Sequence, residues 1–193
     1  MTATTSVVAP TPQGSGSYTV NVDTPSLAKA AGGVTVTLTK GAATQVLTGS
    51  LTAGTVTLTV PALAAGTWTA SVDYAGDSTF AAKTVTGTSV VSAKNAVSKV
   101  TGAVSTTPTT AKTGKYKVTV TQPSGLAKAT GAVTVSVKHG TTVRKVTGTL
   151  ASGIVTVTVP KLVKGTWTVS VAYAGDANYA AKTAAGASIN VTK

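Results

Sequence analysis

Side chains that could do acid–base or metal chemistry are scarce in this chain. Its 193 residues hold four aspartates, one histidine and no glutamate or cysteine, against sixteen lysines and arginines, giving a formal net charge of +12 at pH 7. General acid–base catalysis needs a positioned group of tuned pKa, and an acid–base pair needs two. Asp77 and Asp176 fall in equivalent turns of a repeated sequence and cannot converge. His139 stands beside Gly140, where the earlier copy has Lys40 beside Gly41, and is read as a turn residue. One carboxylate per loop supplies too few oxygen ligands for calcium. Without cysteine there are no disulfides and no thiolate metal sites. No nucleophile–base–acid set, metal cluster or phosphate loop is present. The expectation is a chain that is not an enzyme and has no cofactor or metal. What remains is the chemistry of cations and hydroxyls.

The cations are unevenly placed. A cut near Ser92 leaves Lys29, Lys40 and Lys83 against Asp23, Asp73 and Asp77 in the first half, which is neutral. The second half holds thirteen basic residues against Asp176 alone. This contrast is meaningful because the halves are copies. GTWTASVDYAGDSTFAAK from Gly66 returns as GTWTVSVAYAGDANYAAK from Gly165, ninety-nine residues on. Self-similarity of this kind outranks the single domain that length alone would suggest. The expected domains are residues 1–92 and 93–193. Aligning them shows Ser17 replaced by Lys115, Thr19 by Lys117, Thr39 by Lys138 and Gln45 by Arg144. Likewise Val46 becomes Lys145, Ala62 becomes Lys161 and Ala65 becomes Lys164. These seven are the candidate binding residues, read as one basic face for an acidic partner, since a single-sign field raises encounter rate and affinity. The plainer alternative is a solubilising surface.

Threonine, valine and alanine alternate with period two, the pattern of half-buried strands. In the first copy the runs predict strands near Thr4–Val8, Tyr18–Val22, Val34–Thr39, Thr44–Leu51, Thr55–Val60, Thr67–Tyr74 and Thr84–Val91. The second copy repeats them near Lys99–Ser105, Lys115–Val120, Val133–Lys138, Thr142–Leu150, Ile154–Val159, Thr166–Tyr173 and Thr183–Val191. Seven short strands per copy indicate an all-β chain of two β-sandwiches. Lys40–Gly41, Ala53–Gly54, His139–Gly140 and Ser152–Gly153 read as hairpin turns. The extra Gly125 moves the repeat offset from 98 to 99. Trp68, Ala70, Val72 and Tyr74 share one strand face and are read as core, Trp68 closing one end. The alternative, an aromatic platform for sugars or bases, is poorly served by 4% aromatics. The short junction 92–98 lacks a Gly/Ser/Pro run and predicts limited hinge freedom. Edge strands rich in Thr and Val offer a route to self-association.

Tyr74-Ala-Gly-Asp-Ser-Thr-Phe80 and Tyr173-Ala-Gly-Asp-Ala-Asn-Tyr179, each preceded by Leu-x-x-Gly-Thr at Leu63–Thr67 and Leu162–Thr166, resemble the bacterial Ig-like repeat family. The resemblance covers nearly the whole chain. It implies Ig-like sandwiches serving as spacer or adhesive modules on extracellular proteins and phage virions. Gly76, Asp77, Gly175 and Asp176 would then form structural turns, the glycines for tightness and the aspartates accepting from following amides. Trp68 and Trp167 depart from the family, which more often has histidine there, and so does the lysine load of the second copy.

The N-terminus has neither a basic start nor an apolar stretch of signal-peptide type, and no run is long enough to span a membrane. Together with the single basic module, this leads to the expectation of a bacteriophage virion protein that decorates an acidic capsid shell. One module would anchor while the other projects at the virion surface. The alternative is a piece of a secreted adhesin or cell-wall protein, extracellular, whose lysines meet an anionic cell-surface polymer. Sequence-independent nucleic-acid binding ranks third, since a single arginine and few aromatics make a poor reader.

Overall fold

The computed structural model describes residues 2–24 and 28–193. The chain divides into two units, Met1–Lys94 and Asn95–Lys193. Unit 1 contains β1 (Thr2–Val8), β2 (Gly16–Asp23), β3 (Gly32–Lys40), β4 (Ala43–Leu51), β5 (Thr55–Val60), β6 (Gly66–Tyr74) and β7 (Lys83–Ser92). Unit 2 contains β8 (Lys99–Thr106), β9 (Gly114–Thr121), β10 (Ala132–His139), β11 (Thr142–Thr149), β12 (Ile154–Val159), β13 (Gly165–Tyr173) and β14 (Lys182–Val191). All fourteen expected strands are present, with ends within two residues of the sequence reading.

Each unit is an Ig-like sandwich of a three-stranded and a four-stranded antiparallel sheet. In unit 1 the sheet orders are β1-β2-β5 and β4-β3-β6-β7; in unit 2 they are β8-β9-β12 and β11-β10-β13-β14. The core forms because alternate residues of each central strand face the opposite sheet. Tyr18, Val20 and Val22 of β2 are buried against Val34, Val36 and Leu38 of β3 and Trp68, Ala70, Val72 and Tyr74 of β6. Tyr116, Val118 and Val120 meet Val133, Val135 and Val137 in the same way in unit 2.

The same device joins the two sheets in each unit. β6 pairs Trp68 with Val90 and Ala70 with Gly87, so β7 bulges at Thr88–Ser89. The bulge frees the Thr88 carbonyl, which accepts a 3.1 Å hydrogen bond from the Tyr18 hydroxyl across the core. In unit 2 the bulge lies between Gly186 and Ile189, and the Tyr116 hydroxyl donates to the Ala187 carbonyl at 2.9 Å. A Cβ at Gly87 or Gly186 would land on that tyrosine hydroxyl. Glycine is needed at the bulge because the tyrosine occupies the space. Burial raises both phenols above 10.0, opposed by their hydrogen bonds; Tyr116 is pushed up to about 12.

The turns follow the glycines. Ala53–Gly54 and Ser152–Gly153 close two-residue hairpins with positive φ at both positions, 51° and 82° in unit 1 and 51° and 81° in unit 2. That is the type I′ geometry whose twist matches the flanking strands, with Ala53 and Ser152 held where L-residues are strained.

Candidate basic docking surface

The Tyr-Ala-Gly-Asp loops are structural staples. Asp77 Oδ1 accepts from the Thr79 and Phe80 amides at 2.7 Å each, while Oδ2 accepts from the Ala31 amide at 2.8 Å. The carboxylate thus ties the β6–β7 loop to the segment before β3. These amide donors, Ala31 first, hold its pKa at about 2, below the ordinary 3.8. Asp176 repeats the arrangement with the Asn178 and Tyr179 amides and with the Thr130 amide and hydroxyl, all at 2.8–2.9 Å. Burial opposes its ionisation, and the hydrogen bonds outweigh it, lowering the pKa. Gly76 and Gly175, at φ 83° and 82°, make the turn that aims each carboxylate. Tyr74 and Tyr173 lie buried behind these loops; burial and the neighbouring aspartate both raise their phenols.

Trp68 and Trp167 are buried, 5% and 2% exposed, and each indole N–H donates at 3.0 Å to a loop carbonyl, Ala64 or Val163. Neither indole presents a face for an aromatic platform. Among the described residues there is no cavity and no group of three His, Asp or Glu that could hold a metal ion.

The seven basic candidates are all exposed. Among the described residues their side chains make no hydrogen bond or ion pair. They do not form one face. Lys115 and Lys117 project from β9 on the outer side of the three-stranded sheet, opposite Thr158 and Thr156. Lys138 and Lys145 project from the outer side of the four-stranded sheet, Lys145 facing Ser136. Arg144 pairs with the inward Val137, so it emerges at the β11 edge. Lys161 and Lys164 lie in the β12–β13 loop. Period two fixes which side of its own sheet a residue takes, but the two sheets of a sandwich face outward in opposite directions. The single face read from the sequence is therefore divided.

The structure gathers a different set. Gly114 at the start of β9 pairs with Val159 at the end of β12, and Gly165 at the start of β13 pairs with Val191 at the end of β14. The 107–113 loop is tied in by Leu162 N donating to Thr109 O at 3.2 Å and Thr110 N donating to Lys193 O at 3.1 Å. The tip of the β10–β11 hairpin closes the same end, with His139 packed against Trp167, the ring centroids 5.3 Å apart and the planes tilted by 34°. Lys112, Lys115, Lys161, Lys164 and Lys193 thus converge on one end of unit 2, with Lys138 beside it. Asp176, the one acid of the unit, lies at the opposite end beside Asn95. At the same end of unit 1 stand Gly14, Ser17, Ala62 and Ala65, with Lys94 at the position of Lys193 and Lys40, whose ammonium donates to Ala65 O, at that of His139. Lys112 and Lys193 were missed in the sequence. The signal that could have found Lys112 is the repeated Thr-x-x turn, since Thr11–Gly14 and Thr109–Lys112 close with the same backbone hydrogen bond.

No protein-family model and no curated protein sequence matches the chain. Among solved structures it is similar to the D0–D1 domain of intimin, at 16% identity and a TM-score of 0.37, covering 100% of this chain and 98% of that one. It is also similar to a marsupial T cell receptor, at 12% identity and a TM-score of 0.38, over 97% of this chain and 71% of that one. The BSP domain of a biofilm-associated protein is similar at 18% identity and a TM-score of 0.30, over 98% of this chain and 29% of that one. These likenesses assign neither partner nor activity.

Proposed function

We propose that this chain is a non-enzymatic attachment protein in which unit 2 docks electrostatically on an anionic surface and unit 1 projects. The observation that carries this is the charge contrast on a shared scaffold. Unit 1 holds Lys29, Lys40, Lys83 and Lys94 against three aspartates, whereas unit 2 holds twelve basic residues against Asp176 alone. The seven candidate cations of unit 2 sit at exposed positions where unit 1 has Ser, Thr, Gln, Val or Ala, and Asp176 is already engaged by backbone amides. Exposed, unpaired charge of one sign favours association with the opposite sign and costs little while solvated.

The partner we favour is the acidic outer shell of a virus particle. An anionic polymer of a bacterial cell wall is the competing surface. The chain is tested by adding it to purified particles and to isolated cell walls, then washing in rising salt. Docking of this kind weakens as the Debye length falls to about 3 Å near molar salt. Reversing Lys115, Lys117, Lys138, Arg144, Lys145, Lys161 and Lys164 to glutamate should abolish retention, and reversing Lys29, Lys40 and Lys83 should not. Retention of the seven-fold variant at molar salt would end the electrostatic reading. Retention on walls and not on particles would choose the polymer over the shell.

A further inference from the structure

The β12–β13 loop of unit 2 displays something that net charge does not account for. Lys161-Leu162-Val163-Lys164 stands where unit 1 has Ala62-Leu63-Ala64-Ala65. In both copies the leucine is buried, at 4% for Leu63 and 2% for Leu162. In both, the tryptophan indole holds the carbonyl of the next residue at 3.0 Å. The path of the loop is therefore shared and pinned from beneath. Only the display differs. Val163, 59% exposed, sits between two cations where unit 1 has a bare methyl group. Solubility calls for the lysines and not for the valine.

We infer that this loop anchors an end-on contact with an acidic protein surface, Val163 entering an apolar recess while Lys112, Lys115, Lys161 and Lys164 meet carboxylates around it. The inference takes as its premise that unit 2 is the docking module. A phosphate or carboxylate polymer offers nothing to a valine, whereas protein interfaces join an apolar centre to a polar rim. At this end of unit 2 an exposed valine stands between Lys161 and Lys164, and Asp176 lies at the other end. A loop already fixed by Leu162 and Trp167 loses little freedom on binding.

The test uses the full chain at low salt on three immobilised probes: poly-glutamate, a glutamate–tyrosine copolymer and polyphosphate. The unmodified chain should bind the copolymer most tightly. Val163→Ser should weaken binding to the copolymer about fivefold, the loss of one buried aliphatic contact, and leave the other two probes unchanged. K161E/K164E should weaken binding to all three about tenfold, while K117E/K145E, an equal charge change on the sheet faces, should do far less. All substituted positions are exposed, and matching thermal melts would verify folding. An unchanged affinity of Val163→Ser for the copolymer, or polyphosphate binding as tight as the copolymer, overturns the inference. If K117E/K145E is as damaging as K161E/K164E, docking is face-on; the inference then fails and the electrostatic proposal stands. If neither pair matters, both fail.

Discussion

The two units are one scaffold used twice, and the comparison separates what holds the fold from what is free to vary. The bulge glycine under a tyrosine, the tryptophan bound to a loop carbonyl and the aspartate that gathers amides occur in both. Each satisfies a buried or loop polar group that the sheets alone leave unpaired. The outward positions differ: serine, threonine and alanine in one unit, lysine in the other. Some contacts between strands differ too. Thr5 and Thr88 clasp β1 to β7 in unit 1 through hydroxyl and amide hydrogen bonds of 2.7–3.2 Å. The aligned residues of unit 2 are Ala103 and Ala187. There, the segment entering the sandwich is zipped to the Asp176 loop by Asn95 N donating to Asn178 O and Ala180 N donating to Asn95 O, and Lys182 Nζ donates to the carbonyls of Val97 and Ser98. The same closure is reached by different contacts.

The sharpest way to break this comparison is at the bulge. Gly87→Ala and Gly186→Ala should each destabilise their own unit by about 3 kcal/mol, from overpacking plus a lost tyrosine hydrogen bond. Calorimetry of the full chain should show one transition move in each variant. If either substitution leaves the melts unchanged, the shared device is not what joins the sheets.

Titration sharpens the comparison at both ends of the pH scale. Asp77, at about 2 when folded against 3.8 when free, and Asp176, also lowered, contribute stability that is present above pH 3.8. It is lost as pH falls through the folded values, and Asp77→Asn and Asp176→Asn should flatten the acid limb for their respective units. Tyr116, raised from 10.0 to about 12, contributes stability that is complete below pH 10 and lost as pH rises through 12. Tyr18, Tyr74 and Tyr173 shift the same way. Tyrosinate absorbance from these residues should therefore rise together with unfolding; a rise at pH 10 in the folded chain would contradict their burial.

Smaller effects test the differences. T5A/T88A gives unit 1 the residues of unit 2 and should cost about 1 kcal/mol in the unit 1 melt. Ala53→Asn and Ser152→Asn place a residue tolerant of positive φ in the type I′ turns and should each stabilise by about 0.5 kcal/mol. Denaturant midpoints measure both.

Nearly all of the secondary structure was legible in the sequence, because Thr/Val alternation and glycine-marked turns act locally. The repeat made it doubly so: Thr55–Val60 and Ile154–Val159 were read to the residue. Trp68 and Tyr74 were placed in the core by the same alternation. What escaped depends on partners distant in sequence. Gly87 looks like any strand glycine until Tyr18 is brought over it, and Lys112 joins Lys161 only once Gly114 is seen beside Val159. The seven basic residues are exposed, as the alternation predicts for the strand positions, yet their division between two sheets follows from pairing order, which charge does not encode.

The pairing of β1 with β2 has a mechanical meaning. Thr2 lies opposite Asp23 at one end of unit 1, while Ser92, whose hydroxyl donates to Leu63 O, closes the other. Tension applied between those points loads the ladder of β1 lengthwise, so its hydrogen bonds, set across the strands, share the force and must rupture together rather than peel one at a time. A sandwich loaded this way yields late under a pull.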